Sequence, residues 1–438
     1  MHNHFSYFCV QFFIRMNRPE NNYPNILNAM RPILVVMLLC FGFIFPSPAQ
    51  NQNGKIQTQS FAKPLGNKAT VSLLTVSPGE ETYAQYGHTA LRVNDPENGF
   101  DLVFNYGLFD FNSPNFTWRF VRGKTDYMVG AYSYQDFLIE YQISNRAVYE
   151  QIINLNPDER EAVWQALAKN IQPENRIYRY NFFFNNCSTK PRDILVDHIK
   201  GKVDYKWNGK FKNLRDEIHF STNKYPWTTF GIDLVIGAKA DDSASLKSQQ
   251  FAPELLMESF DKAIILRDSA KSVPLVLKTL TPVAIDESLI EKPTWTPGPK
   301  LVLWIVFILV AGLSLMEFRK GKNYQALNAV LYTVTGLVGT IIAFMVLFSE
   351  HPTTDVNYLL LWLHPLNLIY AVCLLIPAFR KNLADIYLSI NLPFQLFALA
   401  GTLFLPQYFH PALYPILLCL IMRSGLALVS LQKKRKHA

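Results

Sequence analysis

The chain has 438 residues, of which 49% are hydrophobic and 17% charged, so it is too apolar to be intrinsically disordered. Its formal net charge is +8, but much of the basic excess flanks long apolar runs near the C-terminus. Basic residues in that position serve membrane topology and contacts with anionic lipid headgroups, so we expect no nucleic-acid partner.

The first fifty residues predict a targeting segment rather than part of a folded domain. A short charged start precedes an apolar run over residues 32–45, and small residues follow at the positions expected for cleavage. We predict a signal peptide over residues 30–49, cleaved after Ala49, and a non-structural extension over residues 1–29. Retention of the segment as an uncleaved anchor is the alternative.

Residues 50–281 are enough for one exported domain with its own core. Alternation of apolar and polar residues predicts strands over residues 70–76, 88–93, 102–106, 125–132 and 136–142. Their hairpin-like spacing, with turn residues at 95–99, favours an antiparallel sheet. Capping and turn signals predict helices over residues 156–169, from just after Cys187 to about 200, and over 253–263. The predicted fold of this domain is therefore α+β.

Cys187 is the only cysteine between residues 50 and 298. It precedes a predicted helix, where the helix dipole and unpaired backbone N–H groups favour the nucleophilic thiolate. An exported domain with one thiol cannot form an internal disulfide, and an unpaired thiol is a liability in an oxidising compartment. These features favour a catalytic cysteine over an inert buried one.

A thiol nucleophile needs a base, and the exported domain contains three histidines. His198 follows Cys187 along the same predicted helix at too great a distance to reach it, and the position of His219 cannot be argued from periodicity. His88 begins a strand after Gly87, which makes it the better candidate for the base. A third group would hold the imidazole in place.

Asn105, on the next predicted strand, is the first candidate for this third role. Asp110 and Tyr127 are the alternatives. We expect the oxyanion hole to use the backbone N–H of Cys187 or Ser188. The side chains that would support the site are those of Asn186, Ser188, Thr189 and Tyr86.

The last third of the chain predicts an all-α membrane region. A Pro-rich linker over residues 282–299 leads into five apolar runs, each close to the ~20 residues that cross a bilayer as a helix. They lie at residues 301–316, 326–348, 357–378, 385–405 and 411–431, so that residues 300–431 hold five transmembrane helices and 432–438 form a basic tail.

Basic residues follow the first, third and fifth runs, which places these ends and the C-terminus in the cytoplasm and residues 50–298 outside. Arg423 lies near the middle of the last run, where a charge is costly. It could contact a lipid phosphate or a polar neighbour such as His364, Asn391 or Gln395. A snorkelling arginine at a shifted boundary is the alternative.

Three segments carry a resemblance to a known family. Residues 86–92 read Tyr-Gly-His-Thr-Ala-Leu-Arg, residues 104–107 read Phe-Asn-Tyr-Gly, and residues 185–193 read Asn-Asn-Cys-Ser-Thr-Lys-Pro-Arg-Asp. They resemble the Lnb-type bacterial lipoprotein N-acyltransferases. The order of the histidine before the cysteine is similar to a circularly permuted NlpC/P60 or papain-like arrangement.

The resemblance implies acylation of the N-terminal cysteine of diacylated lipoproteins by Cys187 and His88, with a phospholipid as acyl donor. It implies a multi-pass protein of the bacterial inner membrane, in contact with membrane lipids, whose catalytic domain faces the periplasm. We expect neither a cofactor nor a metal ion. A thiol peptidase or amidase acting on cell-wall peptides, and a non-enzymatic membrane receptor, are the alternatives.

Overall fold

The computed structural model describes residues 63–109, 114–267, 272–289, 295–322, 324–376 and 383–436. The predicted extension over residues 1–29 and the predicted signal peptide over residues 30–49 lie outside them. Asp110, one of the alternatives for the third catalytic role, also lies outside them.

Seven antiparallel strands form the main sheet of the first domain, in the spatial order β10-β5-β1-β2-β3-β4-β6. Three short strands, β7, β8 and β9, form a second sheet. The strands are β1 (Thr70–Val76), β2 (His88–Asp95), β3 (Phe100–Leu108), β4 (Asp126–Ser133), β5 (Val148–Ile153), β6 (Ile177–Arg179), β7 (Lys202–Asp204), β8 (Ile264–Leu266), β9 (Ser272–Pro274) and β10 (Val276–Val283). The antiparallel sheet predicted from hairpin spacing is confirmed.

Helices accompany this sheet through residue 261. They are α1 (Phe116–Val121), α2 (Tyr134–Ile143), α3 (Pro157–Asn170), α4 (Thr189–Asp197), α5 (Leu214–Thr222), α6 (Pro226–Val235), α7 (Leu246–Gln249) and α8 (Pro253–Asp261). The predicted helix over residues 156–169 is confirmed, because Asn156 and Glu159 form a reciprocal capping box with Pro157 at the first helical position.

The predicted strand over residues 136–142 is wrong, since this segment is helix α2. The Ser133 side chain accepts a hydrogen bond from the Asp136 N–H and thereby caps a helix that starts directly at the end of β4. Phe137 and Tyr141 of α2 are buried against one face of the sheet, with Leu74 and Val76 of β1.

The opposite face of the sheet forms the larger core. Leu73 and Phe104 pack there with Trp164 and Leu167 of α3 and Leu195 of α4. Both faces of the central strands are therefore covered, and functional side chains have access only at the strand ends.

Five helical segments among the described residues are long and apolar enough to cross a membrane, which confirms the predicted five-helix region. The third of them, Tyr358–Leu375, includes a short 3-10 helix before its α-helix. The α-helices are α9 (Pro299–Lys320), α10 (Gln325–Phe348), α11 (Leu366–Leu375), α12 (Leu383–Gly401) and α13 (Leu413–Lys436).

The first domain is hydrogen-bonded to the loop that follows α10. The Gly237 N–H donates to the Thr353 carbonyl at 2.7 Å, and the Ala238 N–H donates to the Val356 carbonyl at 2.7 Å. Phe230 of α6 packs against the hydrophobic core of the helical bundle. The end of the sheet domain that carries α6 is thus seated directly on the membrane helices.

Candidate active site

Cys187 lies in the turn that connects β6 to α4. Asn186 organises this turn: its Oδ1 accepts hydrogen bonds from the N–H groups of Ser188 and Thr189, both at 2.9 Å, and its Nδ2 donates to the carbonyls of Phe182 and Phe251. The Thr189 hydroxyl accepts from the Asn186 N–H at 2.8 Å. Asn186 and Thr189 therefore hold the backbone around Cys187, and their polar atoms are used in doing so.

His88 and Asn105 are brought together by the register of the sheet. Ala90 of β2 lies opposite Asn105 of β3, and His88 is two residues before Ala90, so the two side chains are diagonal neighbours on one face. His88 Nε2 and Asn105 Oδ1 are 2.5 Å apart. The Asn105 Nδ2 donates to the Tyr132 hydroxyl of β4 at 2.6 Å.

This chain of contacts fixes the imidazole. With its Nδ2 donating to Tyr132, the Asn105 amide presents its oxygen to His88, and that oxygen can only accept a hydrogen bond. The Nε2 of His88 therefore carries the proton, and in the neutral ring Nδ1 carries the free lone pair. Nδ1 is the atom that can act as a base.

Cys187 contacts the same end of the sheet, where Thr89, the residue after His88, is its neighbour. The Thr89 N–H donates to the Cys187 sulfur, and the Thr89 hydroxyl lies 3.0 Å from that of Ser188. Gly107 faces Cys187 from the other side, since a Cβ at that position would lie 3.5 Å from the Cys187 Cβ, in ordinary van der Waals contact. Among the described residues, no hydrogen bond joins the thiol directly to the imidazole.

Burial keeps both reacting groups neutral. It raises the pKa of the half-buried Cys187 thiol to about 11, although the N–H groups of Thr89 and Cys187 and the Ser188 hydroxyl act in the opposite direction. Burial also lowers the pKa of His88 to about 4, although the hydrogen bond with Asn105 acts to raise it. Burial therefore acts against the thiolate that the helix end was predicted to favour.

The two predicted oxyanion donors differ in their surroundings. The Ser188 N–H is already bound to Asn186 Oδ1. The Cys187 N–H lies against its own sulfur, as does the Thr89 N–H. An oxyanion formed on the carbon attacked by this sulfur would have these last two groups nearest to it.

Aromatic side chains surround the thiol. Tyr127, an alternative for the third role, stacks on Tyr180 with ring centroids 4.1 Å apart, and burial followed by the charge of Cys187 raises its pKa to about 12. Tyr86 packs edge-on against Phe182 at 4.9 Å. Of the described candidates for the third role, Asn105 is the one hydrogen-bonded to His88.

The other two histidines of this domain lie elsewhere. His198 is the C-cap of α4, with Nδ1 2.8 Å from the Ile194 carbonyl. His219, on α5, donates to the Asp233 carboxylate, which also accepts from Arg215.

Arg423 is 1% exposed inside the helical bundle, so neither a lipid phosphate nor the membrane surface is its environment. Its partners are Glu317 at 2.6 Å, Asn328 at 2.7 Å and Ser314 at 3.0 Å. The lipid contact and the neighbours predicted from the sequence are corrected accordingly. His364 and Asn391 contact each other, and Gln395 contacts Tyr332 and Ser424.

Three residues of the site were not predicted from the sequence. Thr89 directly follows His88, and Gly107 ends the Phe-Asn-Tyr-Gly segment, so both had a signal in their neighbours. Tyr132 had none, because its contact with Asn105 depends on the pairing of β3 with β4.

Two family models match the chain, one in each half. Residues 61–216 match the model described as the Lnb N-terminal periplasmic domain, and residues 291–435 match the model described as the Lnb transmembrane domain. Together the two matches span more than half of the chain. No curated protein and no solved structure matches it.

Proposed function

The chain belongs to the Lnb family by both of its domains, and on this basis we propose that it is a lipoprotein N-acyltransferase. It moves an acyl chain from a phospholipid, through a thioester on Cys187, to the N-terminal amine of a diacylglyceryl-cysteine lipoprotein. The observation that carries the proposal is the His88–Asn105 pair beside Cys187 in a chain with five membrane-capable helices.

In the first step, the Cys187 sulfur attacks the ester carbonyl of the donor while its proton passes to His88 Nδ1. The sulfur–carbon bond forms, the ester carbon–oxygen bond breaks, and His88 returns the proton to the leaving oxygen. A neutral thiol and a neutral imidazole together hold the one proton that this step moves from the sulfur through His88 to the leaving oxygen. The N–H groups of Cys187 and Thr89 support the oxyanion.

In the second step, the amine of the lipoprotein attacks the thioester carbonyl. The nitrogen–carbon bond forms, the carbon–sulfur bond breaks, and the amine proton passes through His88 to the departing sulfur. The aromatic rings around the thiol offer apolar surface to a lipid-linked amine, which favours it over water as the acceptor. The order of His88 and Cys187 in the chain agrees with a permuted papain-like site.

The direct contact between the sheet domain and the membrane helices supports lipids as the substrates. Donor and acceptor are both confined to a membrane, so a tethered site meets them at a high effective concentration. We infer that the catalytic domain faces the periplasm and that the basic C-terminal tail is cytoplasmic, as the distribution of basic loops predicts.

The test is direct detection of the acyl-enzyme. The full-length protein is incubated with phospholipid but without a lipoprotein acceptor, and the peptide containing Cys187 is examined by mass spectrometry. We expect an acyl group that neutral hydroxylamine removes. It should be absent from Cys187→Ala and His88→Ala, and Cys187→Ser should yield only an ester that resists this treatment. His198→Ala is the matched control, since this histidine lies outside the site.

Adding a diacylated lipopeptide should then discharge the thioester and leave an amide on its amine. If the thioester forms but only water or a cell-wall peptide discharges it, the protein is a thiol hydrolase. If Cys187→Ala retains the full biological function, the receptor alternative replaces both enzymes.

A further inference from the structure

Helix α1 lies against the end of α10 that is nearest the sheet domain. Trp118 contacts Phe344 of α10 with ring centroids 5.2 Å apart. Three hydrogen bonds fix the backbone after Trp118: His351 Nε2 donates to the Phe120 carbonyl at 2.7 Å, the Ser349 hydroxyl donates to the Val121 carbonyl at 3.0 Å, and the Glu350 N–H donates to the Arg122 carbonyl at 2.9 Å. The position of α1 relative to the membrane helix is therefore defined.

The outward face of α1 is apolar. Trp118 is 54% exposed and Phe120 is 47% exposed, and on α10 the neighbouring Leu347 and Phe348 are 70% and 59% exposed. Phe344, which Trp118 contacts, lies one turn inside the end of a helix that can span a membrane. The exposed side chains of α1 thus continue the apolar surface of that helix instead of facing water.

A basic rim borders this apolar face. Arg119, Lys124 and Arg179 share two acidic partners: Asp126 pairs with Arg119 and Arg179, and Glu350 pairs with Lys124 and Arg179. Arg122 lies over the Trp118 ring at 5.9 Å. With Arg122 included, four cations face two carboxylates, so this rim has an excess of positive charge.

We propose that α1 is a lipid-binding element that inserts Trp118 and Phe120 among the acyl chains of the leaflet, with the basic rim on phospholipid phosphates. Amphipathic aromatic rings sit at this depth in membrane proteins, and basic side chains lie above them at the headgroups. The element joins β3, which carries Asn105 and Gly107, to β4, so a lipid bound at α1 lies at the end of the same strands as Cys187. This binding does not depend on the proposed acyl transfer.

The test uses tryptophan quenching by brominated phosphatidylcholine in nanodiscs that hold the full-length protein. Emission lost in Trp118→Phe gives the signal of Trp118 by difference, which separates it from the other tryptophans. We expect bromines near the headgroup end of the chains to lower this signal about twofold, and bromines at the chain ends to lower it less. Trp164→Phe is the matched control, because Trp164 is buried in the domain core and bonded to the Lys63 carbonyl. Its signal should not change.

The proposal is overturned if the Trp118 signal is quenched no more than that of Trp164. Activity is measured separately on Trp118→Ser/Phe120→Ser, in which both exposed rings are removed. Quenching without thioester formation in the unaltered protein would retain the lipid-binding element and remove the acyltransferase assignment. Thioester formation without quenching of the Trp118 signal would retain the acyltransferase assignment and remove the lipid-binding element.

Discussion

The thiol of Cys187 and the imidazole of His88 are both neutral near pH 7, because burial disfavours each charged form more than the local hydrogen bonds favour it. A preformed thiolate would react with any small electrophile that entered the site. In the proposed mechanism, a neutral pair instead generates the nucleophile when an acyl carbonyl is in place to receive it.

The protonation state of Cys187 can be checked by alkylation with iodoacetamide, followed on the Cys187 peptide by mass spectrometry. Because the folded pKa is raised to about 11, the rate should increase about tenfold for each pH unit between 7 and 10. The unfolded chain is the control, and its Cys187 should approach a plateau near pH 9, as an ordinary thiol does. A plateau between pH 6 and 8 in the folded protein would instead indicate a thiolate–imidazolium pair.

The residues of the proposed catalytic site could be selected from the sequence because each has an unusual local setting. Cys187 precedes a helix, His88 begins a strand after a glycine, and Asn105 lies on the next strand. The roles of Tyr132 and Thr89 could not be predicted from the sequence. They depend on strand register and on the contact between the turn before α4 and the end of β2. Those contacts join residues that are far apart in the chain.

At the scale of elements, predictions were reliable where the local signal was complete. Strand β1 has the limits that its sequence predicts, although both of its faces are buried, and helix α3 begins with a complete capping box. The strand prediction over residues 136–142 was wrong because so short a pattern fits either a strand or a helix. The start of helix α2 is set by Ser133 at the end of β4.

At the end of strand β3, Gly107 is the residue whose backbone shapes the candidate site. It lies at a register shift between β3 and β4, has φ of +94°, and faces the Cys187 Cβ. Gly107→Ala should cost about 1–2 kcal/mol of folding stability from backbone strain, and should lower thioester formation because relief of that strain shifts the strand end that lies beside Cys187.

Gly99→Ala is the matched control for this change. Gly99 also has a positive φ, of +73°, but a Cβ there would meet nothing within 4 Å. Thermal unfolding should show a similar loss of stability in both variants, with full acyl-enzyme formation only in Gly99→Ala. Equal activity in the two would contradict the assigned role of Gly107.

At the scale of the whole molecule, the membrane helices enclose polar groups whose partners the sequence could not identify. Arg423 was recognised as costly, but its pairing with Glu317 depends on which helices are neighbours. Glu317 belongs to the last turn of α9 and reads as part of a charged helix end together with Arg319 and Lys320. The packing of α9 against α13 places it inside instead.

This pair can be tested by a double-mutant cycle in detergent. Arg423→Leu and Glu317→Leu should each destabilise the protein by about 3–5 kcal/mol, because each leaves the other charge buried and unpaired. The double variant should recover most of that loss. Arg319→Gln, an exposed change on the same helix, should have little effect. Additive losses in thermal unfolding would show that the two side chains do not interact.

The contact between Gly237 and the loop after α10 limits how this protein can be divided. A side chain at Gly237 would overlap the Val356 carbonyl oxygen, and Phe230 and Leu234 pack into the core of the membrane bundle. Cutting the chain at the Pro-rich linker would therefore uncover an apolar surface and leave the N–H groups of Gly237 and Ala238 without their acceptors. A water-soluble fragment of the sheet domain would need replacements at Phe230 and Leu234, and even then it would lose the fixed position of Cys187 relative to the membrane helices.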